Sequence, residues 1–457
     1  MNISLSLFII ELLFLGVFLF LLYAAFVSFY EKEKRAGIIF LQTDVIVAIA
    51  GGTLYHYSEA IPTVFFICLL AVFFIAILLL FLPIGNKFNI REQPKARIDE
   101  RTIMFSRNRL VKDSDNFNQY YSSHPEHLDL DNKFRSKPGL LSAQSQYFQP
   151  YLFSAANANF KTVEAFHAIL EDKKNAVQQP VVAEEVSKFL TSWVKSLGAH
   201  SVGITTLKDY HLYSHVGRGK DFGQEVTLHH KYAIAFTVEM DHHLMAAAPY
   251  SPVVMESSQQ YLHSGTIAVQ VAEWIKDMGY AARAHIDGNY RVVCPLVARD
   301  AGLGEIGRMG LLMTPKLGPR VRIAVVTTDI PLVVSQTKYD PSVEAFCSIC
   351  KKCAYTCPAA AIPKNGKNSI SKPSHWQINQ EACFTLWCKV GTDCGKCMRV
   401  CPYSHPNNLL HNVVRFGIKQ NAIFRCVAVK MDDFFYKKNP KPVLKTRWLK
   451  GKVSLKK

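Results

Sequence analysis

The sequence predicts an α/β body, preceded by apolar membrane helices and followed by a small cysteine-rich domain. Three observations carry that expectation. Long apolar stretches fill the first 86 residues, helix and strand patterns alternate between 151 and 345, and two cysteine runs lie between 346 and 406. At 457 residues the chain has room for two or three domains.

Residues 3–30 and 61–84 are nearly uncharged and long enough to cross a bilayer. Between them, residues 38–54 are apolar but interrupted by Gln42, Thr43 and Asp44. Residues 1–86 therefore read as an anchor of three helices, with a re-entrant or interfacial helix as the alternative for the middle one. No lysine or arginine precedes the first stretch, and its apolar part is too long for a signal peptide. Neither a cleaved leader nor a twin-arginine signal is expected. Positive charge collects at Lys32, Lys34 and Arg35 and again at Lys87, Arg91, Lys95, Arg97 and Arg101, whereas Tyr55–Ala60 has none. Three spans with an outer N-terminus place both basic segments in the cytoplasm. The expectation is a multi-pass protein of the inner (cytoplasmic) membrane with its body in the cytoplasm, where thiols stay reduced.

The formal net charge is +17, and the stretch Lys437–Lys457 holds nine basic residues and no acidic one. Beside an anionic leaflet each such residue contributes about 1 kcal/mol. No nucleic-acid module accompanies the charge, so the lipid bilayer is the expected partner and nucleic acid is not.

Residues 87–150 are polar, rich in Asp, Asn, Ser and Arg, and read as a connecting segment. Within 151–345, Glu184–Leu197 repeats apolar positions at helical spacing and stops at Gly198. Lys231–Val238 and Arg322–Thr328 are short β-rich apolar runs that suit buried strands, and Ser264–Met278 is helical up to Gly279. Such alternation favours a sandwich of helices on a sheet. Gly302, Gly304 and Gly307 spell G-x-G-x-x-G with Asp329 downstream, the pattern of a dinucleotide loop. The helix that loop requires is blocked by Gly310, Pro315, Gly318 and Pro319. A backbone approach to some other large planar or phosphate-bearing cofactor fits these glycines better.

Residues 346–406 carry the strongest chemical signal. Cys347, Cys350, Cys353 and Cys357 precede Pro358 in the spacing C-x2-C-x2-C-x3-C-P. Cys383, Cys394, Cys397 and Cys401, ahead of Pro402, keep the last three cysteines and the proline. A ferredoxin-like domain with two 4Fe-4S clusters uses this spacing and exchanges its fourth cysteines. The exchange assigns Cys347, Cys350, Cys353 and Cys401 to one cluster, and Cys357, Cys383, Cys394 and Cys397 to the other. Zinc sites need neither the third cysteine nor the doubled C-P ending. Cys388 reads as a spare thiol, and Cys68, Cys294 and Cys426 as small buried residues. The pairs His229-His230 and His242-His243 are not expected to share a metal, since neighbours on a strand point to opposite faces. Residues 407–457 complete the chain with the basic tail.

Several blocks together resemble the catalytic subunits of reductive dehalogenases: IDERTIMFSRNRL, YYSSHPE and KPGL within 98–140, AGLGEIGRMGLLMTPKLGPRVR at 301–322, TTDIPL at 327–332, both cysteine blocks, and MDDFFYKKNP at 431–440. The resemblance runs in order from about residue 95 to 440. It implies a corrinoid (cobalamin) held base-off in a nitroreductase-like α/β domain at 151–345, beside the two-cluster domain. Asp209-x-His211 lacks the glycine of the D-x-H-x-x-G cobalamin motif, as base-off binding without a histidine ligand leads one to expect. The resemblance also implies a tyrosine proton donor, matched by Tyr261 ahead of a helix, and a supporting arginine, matched by Arg322. A third position falls on Asn289 counting back from Ala301, or on Asp287 counting forward from Tyr280; Asn289 is taken here. A phenol with an ordinary pKa near 10 stays protonated at neutral pH, and a guanidinium favours the phenolate left after transfer.

The function implied is reductive removal of halide from an organohalide, with electrons from a quinol or a reduced ferredoxin or flavodoxin. The absence of a twin-arginine leader and the built-in helices depart from the exported respiratory members of that family. Two alternatives stand beside it. One is an epoxyqueuosine-reductase-like corrinoid reductase. The other is a non-catalytic membrane-bound iron–sulfur carrier, which would have no use for a body of some two hundred residues ahead of its clusters.

Overall fold

In the computed structural model the chain divides into two compact units, residues 1–87 with 406–440 and residues 88–405 with 441–457. The structure describes residues 3–57, 63–85, 92–170, 174–175, 177–367, 376–451, 453 and 455.

The first unit consists of helices Ile3–Tyr30, Lys34–His56 and Thr63–Phe81 with the later pair Leu409–Gln420 and Ala422–Tyr436. The first two contain windows, Glu11–Tyr30 and Lys34–Thr53, long and apolar enough to cross a membrane. The third carries a shorter apolar stretch, Ala71–Phe81, and the first residues expected of it, 61 and 62, lie outside the described residues. Small side chains let these helices approach. Ala24, Ala25 and Ala36 are buried against Phe40 and Leu410, and Phe40 stacks on Phe435 at 4.3 Å. Asn421 joins two helix ends: its Nδ2 donates to the carbonyls of Leu79 and Leu82, and its Oδ1 caps the amides of Ile423 and Phe424. Those are the groups a helix leaves unpaired at its termini. Cys68 and Cys426 are exposed, contrary to the expectation of small buried residues, because each lies on an outward helix face of this unit.

The second unit is built on a four-stranded sheet, β1 (Ser201–Thr206), β2 (Tyr232–Glu239), β3 (Ala282–His285) and β6 (Val321–Thr328), in the order β1-β2-β6-β3. A separate two-stranded ribbon pairs β4 (Glu305–Ile306) with β5 (Leu312–Met313). Every pairing in the main sheet is antiparallel. The period of two sorts each central strand into two faces. Ile234, Phe236 and Val238 of β2 and Ala324 and Val326 of β6 enter one core, against Ile267, Val271 and Ile275 of the long helix Ser251–Asp277. Ala233, Ala235 and Val325 enter the other, against Val297 and Ala298 of helix Cys294–Asp300. The expected helix–sheet sandwich is present, and both expected strands and helix Ala183–Ser196 fall within a residue or two of their sequence positions.

Two expectations need correction. The long helix begins at Ser251, well ahead of Ser264, because Pro252 occupies its first turn and preorganises the start. Residues 87–150 are more than a connector. They contain helices Asp115–Ser123 and Glu126–Arg135, and Asp131 of the second reaches the buried Arg107. That guanidinium sits 3.2 Å from Asp131 and also pairs with Glu381 of the cysteine domain. A fully buried cation needs such compensation.

Candidate functional site

Tyr261 and Ser257 stand one helical turn apart on the long helix and so share a face. Arg322 projects from β6, whose register opposite Val238 brings it beneath that face. Its guanidinium lies 4.6 Å from the centre of the Tyr261 ring and bonds the Ser257 hydroxyl. A second bond, 3.1 Å long, reaches Asp393 Oδ2 in the loop before Cys394. Tyr261 is thus inside the helix rather than ahead of it, and the tyrosine and arginine picked out by resemblance are in contact.

These groups line one cavity of about 550 Å³. Its wall is largely apolar, with Phe105, Leu140, Phe160, Ile378 and Trp387 among the contributors. Cys357, Cys383, Cys394 and Cys397 border it, while Cys347, Cys350, Cys353 and Cys401 do not. Burial pushes the Tyr261 phenol above its ordinary range; Arg322 opposes the shift, whereas Asp287 and Asp393 add to it. Burial alone would lower Arg322, but Tyr261, Asp393 and Asp287 together hold it up, so the guanidinium stays charged. Asp287, also on the cavity wall, is raised by burial against the pull of Arg218, Arg109 and Arg322. Arg322 Nε and Asp393 Oδ1 are buried without a hydrogen-bond partner among the described residues. Buried polar atoms of that kind normally serve something.

Asn289 does not join this group. Its Oδ1 accepts from Arg283 at 2.6 Å, and it lines a different cavity. Asp287 lines the Tyr261 cavity instead, the turn at Gly288 placing the two side chains in separate spaces.

The cysteines of each expected set lie near one another, with Cys397 also near Cys353. The Cys401 thiol is raised by burial first and then by Cys347, Cys350 and Cys353. Cys383 is pushed up to about 12 by burial and then by Cys357 and Cys394. Among the described residues no three His, Cys, Asp or Glu side chains converge on one ion. In a cubane each thiolate binds a different iron, so the sulfurs need not converge. Around the first set, buried Arg308 donates to the carbonyls of Cys347 (2.9 Å), Pro363 (2.7 Å) and Asn365 (2.8 Å) and stacks 4.7 Å from the Trp376 ring centre.

The glycine loop serves the protein's own packing. A Cβ on Gly304 would stand 2.2 Å from the Met313 carbonyl, and one on Gly307 would stand 2.7 Å from the Met313 side chain and 3.5 Å from Cys347 Sγ. Gly302 faces Thr337. None of the three lines the Tyr261 cavity, which corrects the cofactor-binding expectation: β5 and the first cysteine set occupy the space that glycine leaves. His211 is likewise structural. Its Nδ1 accepts from the Lys208 amide and its Nε2 meets Asp300, which Lys208 and Tyr210 also contact. Cys388 packs with Phe134 and Phe384 in an aromatic core, as a spare thiol should. Sequence reasoning missed Asp393, Ser257, Tyr290 and Arg308. Only Asp393 left a trace, as a carboxylate inside a cysteine run.

Residues 346–405 match the 4Fe-4S dicluster domain family. The chain is 29% identical over 300 residues to a tetrachloroethene reductive dehalogenase of Desulfitobacterium hafniense, covering 55% of this chain and 54% of that protein. It is 32% identical over 203 residues to the tetrachloroethene reductive dehalogenase of Sulfurospirillum multivorans, covering 43% and 40%. A shorter match, 29% over 121 residues, relates it to an epoxyqueuosine reductase of Staphylococcus aureus, covering 23% and 28%. Among solved structures, the catabolic reductive dehalogenase NpRdhA superposes with a TM-score of 0.62 at 21% identity, covering 79% of this chain and 50% of that one. That likeness concerns the fold. The chain spans about half the length of the relatives it matches.

Proposed function

We propose that this chain, a homologue of the reductive dehalogenases, replaces the halogen of an organohalide by hydrogen: R–X + 2 e⁻ + H⁺ → R–H + X⁻. The observation that carries the reading is the cavity in which a phenol, its guanidinium and four cysteines of one cluster set face one another.

Two 4Fe-4S clusters would be held by Cys347, Cys350, Cys353 and Cys401 and by Cys357, Cys383, Cys394 and Cys397. The second borders the cavity and would deliver the electrons there. A base-off corrinoid would be held at the same space. Phe105, Leu140, Phe160 and Trp387 offer apolar walls to a large ring, and the orphaned Arg322 Nε and Asp393 Oδ1 offer polar partners to its rim. When bound, such a group supplies two low-potential electrons at the carbon–halogen bond. The chain's own part is proton control. Tyr261, neutral at physiological pH, holds the proton on its phenolic oxygen and gives it to the organic fragment. Arg322, kept charged by Asp393, lowers the cost of the phenolate. Asp287 stands on the same cavity wall, its carboxyl raised by burial against the pull of three arginines. The apolar wall excludes water from the reacting carbon.

The helices of the first unit would anchor the protein in the cytoplasmic membrane, with the reductase body in the cytoplasm and electrons from a quinol or a reduced ferredoxin or flavodoxin. A reporter fused at the C-terminus tests the sidedness; activity only of an export-dependent reporter overturns it.

Anaerobic reconstitution with iron, sulfide and corrinoid, followed by a halide-release screen over aromatic and aliphatic organohalides, tests the function. Release of one halide per two electrons, lost in Tyr261→Phe, is expected. Clusters without corrinoid uptake or halide release would instead indicate an electron carrier.

A further inference from the structure

A second cavity, of about 440 Å³, adjoins the first. Arg109, Arg218 and Tyr290 line both. The loop between β3 and helix Cys294–Asp300 divides them: Asp287 faces the Tyr261 side, Asn289 and Arg291 the other, and Tyr290 both. The His167 ring pins the loop by donating from Nε2 to the Asp287 carbonyl at 2.7 Å.

The two cavities differ in chemistry. The second is lined by five cationic side chains, Arg109, Arg218, Lys220, Arg283 and Arg291, and by two carboxylates, Glu100 and Asp221; with Glu164, which pairs with Arg109 at 3.2 Å, an excess of two positive charges is left. The carboxylates set the guanidiniums in place: Glu100 lies 3.1 Å from Arg218 and Asp221 lies 2.9 Å from Arg291. Arg283 is oriented by the Leu170 carbonyl at 3.2 Å and by Asn289 at 2.6 Å. Preset guanidinium forks suit a planar carboxylate. A space of this size is far larger than a halide ion needs and matches a small organic molecule.

We propose that this basic cavity binds the carboxylate of an anionic organohalide whose carbon–halogen end reaches past Tyr290 to Tyr261 and Arg322. The substrate class becomes halogenated carboxylic acids rather than neutral haloalkenes, a deepening that rests on the dehalogenase reading above.

The test compares the reconstituted full chain on 3-chlorobenzoate and 3-chlorobenzamide, which present the same carbon–chlorine bond with and without the charge. The expected kcat/KM is about tenfold higher for the benzoate, the scale of one hydrogen bond to a charged group, and the difference lies in KM. Arg291→Gln, and Lys220→Gln at an exposed site that tolerates change, each lower that preference several-fold. A ratio near one in the unmodified chain, or a ratio that neither variant alters, overturns the proposal. Calorimetric titration with unhalogenated benzoate gives a readout independent of turnover: saturable binding weakened about fivefold or more by Arg291→Gln is expected. No saturable binding, or equal binding of inorganic phosphate and benzoate, overturns the carboxylate site. Benzoate binding without chloride release from either probe leaves the site standing and overturns the dehalogenase reading instead.

Discussion

The two cysteine sets share one spacing rule and live in opposite surroundings. Cys347, Cys350, Cys353 and Cys401 lie away from the Tyr261 cavity, with buried Arg308 at their side and Gly307 close to Cys347. Cys357, Cys383, Cys394 and Cys397 open on the cavity that holds Tyr261, Arg322 and Asp393. One set stands beside a fixed positive charge, and the other faces the cavity. Identical ligands can therefore be tuned apart by what stands next to them, since charge, hydrogen bonding and exposure set cluster potentials.

Variants on the cavity side should abolish chemistry while leaving both clusters intact. Tyr261→Phe removes the transferable proton and should lower kcat at least a hundredfold, the usual scale of general acid catalysis, with iron content and cluster spectra unchanged. Turnover at the unmodified rate would remove Tyr261 from the mechanism. Arg322→Lys keeps the charge but loses the planar fork over the phenol ring and the reach to Asp393; a drop in kcat of about tenfold is expected. Its measured KM should move less than its kcat, because the guanidinium matters most when phenolate forms.

Beside the first set, Arg308→Gln should leave one cluster untouched and shift the other. Loss of the adjacent positive charge makes reduction harder, so one of two potentials in a redox titration moves negative, and kcat falls only a few-fold. Equal movement of both potentials would erase the contrast drawn here. The smallest effect concerns Asp287. Its folded-state pKa is raised, so between the ordinary carboxylate value and the raised one the folded state binds more protons than the unfolded. Stability therefore falls as pH rises through that window. Asp287→Asn should remove this dependence and leave the midpoint of thermal unfolding at pH 7 to 8 equal to or slightly above that of the unmodified chain.

The 4Fe-4S dicluster domain and the Tyr261–Arg322 contact were legible because each rests on local chemistry or on blocks of residues that keep their order. Strands β2 and β6 were legible because both of their faces are buried, which makes the run continuously apolar. Asp393, Ser257 and Tyr290 were not, since their roles arise only when the long helix, β6 and the cysteine loop meet in space. The glycine loop misled for a related reason. A close backbone approach was readable, but not that the thing approached is the chain's own β5. Asn289 failed on a two-residue ambiguity that only the turn at Gly288 resolves.

The second unit is not contiguous in sequence. Its last segment returns after residue 440 and closes a core of Leu152, Leu244 and Met255 with Leu444 and Leu449, while the Val443 amide bonds the Ala246 carbonyl at 3.0 Å. Met255 belongs to the same helix as Tyr261. During synthesis, the second unit cannot complete this core until the helices at 409–436 have emerged and the segment behind them has docked. That delay leaves a window after the dicluster domain at 346–405 has emerged and before the last segment closes this core.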